Sequence, residues 1–207
     1  MDHLLELKDW SSEDILQTLT LASEVKRDPR AFSKIMEHQT LIMIFEKPSL
    51  RTRISFEIGA TQLGGHAIYY DMSTSPLGAG KETISDMIRV MSRMADIVMA
   101  RLFEHGHILE MARHATVPVI NALTNHTHPC QVLADLQTVL EHKGRLEGLK
   151  LAYLGDANNN VTHSLIYGCA KTGMHVAVGC PAGEAYEPQP AVLEAARQAG
   201  VRKLVYA

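Results

Sequence analysis

Short apolar runs recur along this chain at intervals of helix length, and that alternation constrains its fold more than any other feature. TLIMIF at 40–45, HAIYYD at 66–71, DIVMAR at 96–101 and VPVIN at 117–121 each have the length and composition of a strand. Between them lie segments that read as helices. One runs from about Ser49 to Leu63 and is stopped by Gly64 and Gly65, a second follows the loop STSPLGAGK and runs to about Met94, and a third is HGHILEMARHA. Strand–helix–strand units of this kind imply a parallel sheet with right-handed crossovers. Ahead of them, Ser11, Ser12, Glu13 and Asp14 introduce ILQTLTLASEV, a capped amphipathic helix. A longer helix runs from Pro129 to about His142 and ends at Lys143 and Gly144. A second series then begins: KLAYLGD, the loop ANNN, the helix VTHSLIYGCAKTG, the strand MHVAVGC and a helix near 190–199. The expected fold class is α/β, with two parallel-sheet domains. The first, 1–144, is complete; the second, 149–207, is Rossmann-like and incomplete, with barely two strand–helix units.

Composition narrows the partners. Of 207 residues, 46% are apolar, 21% charged and 5% aromatic, which suits a helix-rich α/β protein with a real core. A net charge of −3 with both signs interspersed offers no basic face for nucleic acid and no polybasic run for a membrane surface. No apolar run approaches the roughly 20 residues that span a bilayer, and MDHLLELKDW lacks a basic leader and a cleavage pattern. The sequence therefore reads as cytoplasmic and suited to small-molecule chemistry. Cys130, Cys169 and Cys180 are far apart, odd in number and set among apolar residues, so free buried thiols are expected rather than disulfides.

Three stretches carry candidate chemistry. In FEKPSLRTRISFE, two arginines and two hydroxyls crowd the start of a helix that follows a strand, where parallel sheets bind ligands and unpaired N–H groups favour anions. Ser49, Leu50 through its N–H, Arg51 and Thr52 can surround a phosphate; alternatively Ser49 only caps the helix and Arg51 and Arg53 are solvated. GAGKET looks like the end of a P-loop, but the required glycine and hydroxyl positions hold Ser75 and Glu82. GDANNN lacks the three glycines of a dinucleotide fingerprint, so no nucleotide cofactor is expected. In HTHPCQ, no second ligand pair at suitable spacing supports a metal. His128 just outside a helix with Pro129 at its first position, and Gln131 in its first turn, can instead face a carbonyl and an amide, or serve as a cap and a solvated side chain.

Together, FEKPSLRTRISFE, HPCQ with LADLQT behind it, and GDANNNVTHSL resemble the aspartate and ornithine carbamoyltransferase family, its ornithine branch in particular. The resemblance runs in order along essentially the whole chain. It implies a first domain for carbamoyl phosphate, a second for the amino acid, no cofactor, and a homotrimer or higher multiple with sites between subunits. It also implies transfer of the carbamoyl group to the δ-amine of L-ornithine, giving citrulline and phosphate in arginine biosynthesis. By position, the family's phosphate loop matches Ser49, Arg51, Thr52 and Arg53, and the arginine bridging phosphate and carbonyl matches Arg101. His128 and Gln131 match the residues on the carbonyl oxygen and the amide. Asn160, with Asn159 as the other register, matches the asparagine on the ornithine backbone. Arg51, Arg101 and His128 are the expected catalytic residues.

Three departures accompany the resemblance. Leu50 replaces a hydroxyl residue of the loop; Pro76 stands before Leu77 and Gly78 where many ornithine enzymes carry a Gln that reaches a neighbouring subunit; and the chain ends at Ala207 without the family's later Asp, Ser-Met-Gly and His-Cys-Leu-Pro motifs. The 207 residues alone are accordingly expected to be inactive. The alternatives are a relative that uses aspartate, putrescine or a modified ornithine, and a truncated non-catalytic protein that binds phosphate-bearing ligands or interferes with full-length subunits.

Overall fold

The structure is a computed structural model that describes residues 3–74 and 81–198. Pro76, Leu77 and Gly78, and with them most of the GAGK turn, lie outside the described residues. The chain forms two compact units: one takes the chain up to Leu5 together with Glu24–Asn125, the other Glu6–Ser23 together with the chain from His126 on.

The first unit is built on four parallel strands, β1 (Thr40–Phe45), β2 (His66–Asp71), β3 (Ile97–Arg101) and β4 (Val119–Leu123), in the order β2-β1-β3-β4. The helices of this unit are α2 (Leu50–Gln62), α3 (Ile84–Met91) and α4 (His105–His114), while α1 (Ser12–Arg27) belongs for most of its length to the second unit. β1 is a continuous apolar run because both of its faces are covered. Ile42 and Ile44 join Val98, Ala100 and residues of α3 and α4, while Leu41, Met43 and Phe45 join Met99, Ala122 and Ala60 of α2. The sheet is thus doubly wound.

Two boundaries show local sequence setting the chain's path. Ser49 caps α2, its hydroxyl accepting the Thr52 N–H, and the helix closes in a paired C-terminal motif in which Gly65 N–H donates to Ala60 C=O at 2.9 Å and Gly64 N–H to Thr61 C=O at 3.1 Å. Gly64 sits at φ 89°, and a Cβ there would lie 2.4 Å from the Ser33 carbonyl oxygen. Gly64→Ala is therefore expected to destabilise the protein by about 2 kcal/mol or more, from the left-handed conformation and the clash together. Urea unfolding with an unchanged midpoint and slope would contradict this.

β4 begins two residues later than VPVIN suggests. Pro118 has no N–H, and its carbonyl accepts the Val98 N–H at 3.0 Å. The other side of β4 is engaged by Leu4, whose N–H donates to Val119 C=O and whose C=O accepts Asn121 N–H at 2.7 Å, a parallel bridge to Ile120.

In the second unit β5 (Lys150–Leu154) and β6 (His175–Gly179) pair in parallel, with α5 (Pro129–Lys143), α6 (Asn160–Lys171) and α7 (Pro190–Gln198). α5 ends at Gly144 in the left-handed conformation, φ 69°. α6 is buried along Thr162–Cys169, and at Gly168 a Cβ would fall 2.7 Å from Val132 Cγ1 of α5, so the missing side chain lets the two helices approach. α1 starts with a reciprocal box in which Asp14 N–H donates to Ser11 Oγ and Ser11 N–H to Asp14 Oδ2, both at 3.0 Å. At its far end Ser23 Oγ accepts from Gln137 Nε2 at 2.7 Å.

Candidate active site

The first unit reverses strand order between β1 and β3, since the chain passes from β1 to β2 on one side and then to β3 on the other. The carboxyl ends of such a pair are where open α/β sheets bind ligands. Phe45 and Arg101 end these strands as register partners, and the chain leaving β1 is fastened there, with Glu46 N–H and Lys47 N–H both donating to Arg101 C=O at 3.0 and 3.4 Å. On the other side of β3 the register skips a residue, Ala100 pairing with Asn121 but Arg101 with Leu123. A bulge of this kind re-aims the side chain beside it.

Ser49, Arg51, Thr52 and Arg101 are brought together at this end. Ser49 Oγ lies 3.0 Å from Thr52 Oγ1, which accepts from Arg101 Nη1 at 3.5 Å. Arg101 is half-buried, and its Nε is buried with no hydrogen-bond partner among the described residues. Desolvation, and then the positive charge of Arg51, push the Arg101 guanidinium below its ordinary pKa. The two like charges oppose each other, and the Glu46 carboxylate just past β1 is engaged elsewhere, its Oε2 accepting the Phe103 N–H at 2.8 Å. Two mutually repelling guanidiniums, a buried idle donor and the N-terminus of α2 form a site suited to a dianion. Leu50, at the first position of α2, is 74% exposed and contributes only its backbone there. Arg53 is committed differently: its guanidinium lies 3.9 Å over the Tyr69 ring, and its Nε meets Glu57 Oε2 at 3.2 Å.

His128, Gln131 and Asn160 belong to the second unit. His128 is the residue before Pro129 at the start of α5, and its side chain makes no capping hydrogen bond to that helix. Its N–H donates to Ser164 Oγ at 2.8 Å, and Ser164 Oγ–H donates to Asn160 C=O at 2.8 Å. Gln131 is exposed and donates to Asp135 Oδ1 at 3.0 Å. The two asparagine registers separate clearly. Asn159 Oδ1 accepts from Val161 and Thr162 N–H at 2.9 and 3.0 Å, and its Nδ2 donates to Tyr153 OH and Thr162 Oγ1, both at 3.0 Å. Asn159 is thus consumed as the cap of α6, and Asn160 is the next residue along.

Cys130, Cys169 and Cys180 are free, and burial pushes the Cys130 and Cys169 thiols up to about 12, which leaves them poor nucleophiles at neutral pH. Among the described residues no group of three or more His, Cys, Asp or Glu side chains is placed to hold a metal ion, and no helix is long and apolar enough to cross a membrane. Sequence reasoning passed over His163 and Ser164. With Thr162 they form a run of three polar residues at the start of the buried stretch of α6, His163 and Ser164 both about 1% exposed.

Residues 2–141 match the family model described as aspartate/ornithine carbamoyltransferase, carbamoyl-P binding domain, and residues 147–204 the Asp/Orn binding domain of the same family. The chain is 50% identical over 196 residues to an ornithine carbamoyltransferase of Anoxybacillus flavithermus, covering 94% of this chain and 61% of that protein. It is 47% identical over 201 residues to a catabolic ornithine carbamoyltransferase of Halobacterium salinarum, covering 97% and 66%. Among solved structures, the ornithine carbamoyltransferase from Pyrococcus furiosus superposes with a TM-score of 0.90 at 42% identity, covering 99% of this chain and 66% of that one. The catalytic subunit of an M. jannaschii aspartate transcarbamoylase superposes with a TM-score of 0.84 at 31% identity, covering 100% and 68%. The chain therefore spans a little over three fifths of the length of these curated relatives.

Proposed function

This chain belongs to the aspartate/ornithine carbamoyltransferase family, and from that premise we propose that its protein transfers the carbamoyl group of carbamoyl phosphate to the δ-amine of L-ornithine, giving citrulline and phosphate in arginine metabolism. The observation that carries the reading is the Arg51–Arg101 pair at the strand switch, with Arg101 Nε buried and idle. Higher identity to ornithine enzymes than to the aspartate relative supports ornithine as acceptor.

The phosphate falls to Ser49, the Leu50 N–H, Arg51, Thr52 and Arg101, the carbonyl oxygen to His128, the carbamoyl amide to Gln131 and the ornithine backbone to Asn160. Charge grows on the carbonyl oxygen during attack and then on the leaving phosphate, and donors already in place at both points lower the barrier. No covalent enzyme intermediate or cofactor is needed. The attacking amine must be neutral, while a free primary amine is mostly protonated at pH 7, so turnover rises with pH. Functionally, 1–144 is the carbamoyl phosphate domain and 149–207 the N-terminal part of the ornithine domain, in a cytoplasmic homotrimer or higher multiple. The exposed apolar residues Leu50, Ile54 and Ile58, four apart along α2, support burial of that face against further copies.

The test is citrulline formation by the full gene product from carbamoyl phosphate with L-ornithine, L-aspartate or putrescine. Citrulline with ornithine alone is expected; carbamoyl-aspartate or carbamoyl-putrescine as the main product would replace the reading. The two asparagines give a second check. Asn160→Ala is expected to raise KM for ornithine, whereas Asn159→Ala costs about 1 kcal/mol of stability through loss of the helix cap. An unchanged ornithine KM in Asn160→Ala would remove that residue from the site.

A further inference from the structure

Two hydrogen bonds join the segment ahead of α5 to adjacent residues of α6. His163 Nδ1 lies 3.0 Å from the His126 carbonyl oxygen. A carbonyl can only accept, so Nδ1 carries the proton and donates. One residue on, Ser164 Oγ takes the His128 N–H at 2.8 Å and passes its own proton to the Asn160 carbonyl at 2.8 Å. Both side chains are about 1% exposed, and burial holds the His163 imidazole below its ordinary pKa, toward the neutral form. A helix that needed only packing would hold apolar residues at these positions, as it does at Leu165 and Ile166. A buried polar group costs stability unless it is bonded, and a serine bonded to the carbonyl four residues back tends to bend its helix.

We propose that Ser164 and His163 are positioning residues for the transfer reaction. They clamp the main chain of residues 126–128 from both ends, which aims the His128 imidazole, and the Ser164 hydroxyl links that aim to the first turn of α6, where Asn160 sits. What His128 does once aimed rests on the carbamoyltransferase reading above.

The clamp has two separable halves. Ser164→Ala removes the acceptor for the His128 N–H. His163→Leu removes the donor to His126, whereas His163→Asn keeps an N–H close to the Nδ1 position. In the full gene product, Ser164→Ala and His163→Leu are expected to lower kcat on the order of 10- to 100-fold, the scale of a small misplacement of a reacting group. KM for carbamoyl phosphate stays within about threefold, since ground-state binding is spared. His163→Asn restores most of kcat, and hydrogen exchange of the 126–131 backbone quickens in Ser164→Ala and His163→Leu only. Parental kcat with parental exchange in Ser164→Ala overturns the proposal, as does equal loss in His163→Asn and His163→Leu at equal melting temperature. Should Ser164→Ala fail to fold, the two His163 variants decide the matter. A parent protein that makes no citrulline overturns the functional reading, and the exchange rates then decide whether the clamp exists.

Discussion

Arg51→Ala is expected to lower affinity for carbamoyl phosphate by about 10- to 150-fold and to leave the melting temperature unchanged or raised. The loss follows from one or more charge-assisted contacts to phosphate, each contributing about 1.5–3 kcal/mol. The second half follows from Arg101. After desolvation, the like charge of Arg51 lowers the Arg101 pKa, so removing that charge takes no favourable contact with Arg101 from the free protein. A residue that adds nothing to the empty protein and holds the occupied one is hard to explain as a solvated surface arginine. Arg53→Ala is the control, because its guanidinium stacks on Tyr69 and pairs with Glu57. That variant should lose a little stability and little phosphate affinity. Calorimetric titration of carbamoyl phosphate and of inorganic phosphate, with thermal melts on the same preparations, reads both quantities. Equal affinity in parent and Arg51→Ala would end the phosphate-cradle assignment.

His128→Ala is expected to lower kcat by about 10²- to 10³-fold, the loss observed when one donor to a developing oxyanion is removed. Binding of carbamoyl phosphate should weaken much less, because the carbonyl oxygen carries its extra charge only during attack. The rival role, a helix cap, predicts lower stability with normal turnover in the folded fraction. Geometry disfavours it, since the His128 side chain makes no capping bond to α5 and its backbone N–H is held by Ser164 whatever the side chain. Turnover, carbamoyl phosphate affinity and melting temperature measured on one preparation separate the two.

Much of this was legible in the sequence. β1 and β2 coincide with TLIMIF and HAIYYD, and α2 begins after Ser49 and stops before Gly64, because each is fixed by local signals: an apolar run, a hydroxyl cap, a glycine pair. Non-local partners were not legible. β4 takes Leu4, more than a hundred residues earlier, as a partner through Val119 and Asn121, and no local signal announces it. The strand order, which puts Phe45 beside Arg101, follows from packing and not from any motif. Arg51 and Arg53 look equivalent in sequence, yet two residues along a helix is more than half a turn, which sends one toward Arg101 and the other onto Tyr69. Ser164 and His163 escaped notice because their partners are backbone atoms about 36 residues away.

The division of the chain also bears on its birth at the ribosome. Residues 6–23 are made before the four-stranded sheet but pack with material from His126 onward, Leu7 against the Gly168 region of α6 and Ser23 against Gln137 of α5. At synthesis rates of about 5–20 residues per second, that early segment waits on the order of ten seconds for its partners. Meanwhile every strand of the four-stranded sheet has emerged. The sheet can therefore close while the apolar face of α1, with Ile15 and Leu19, still lacks its cover. A nascent chain at that stage would hold a closed sheet together with a helix whose apolar face is uncovered, a natural grip for a chaperone.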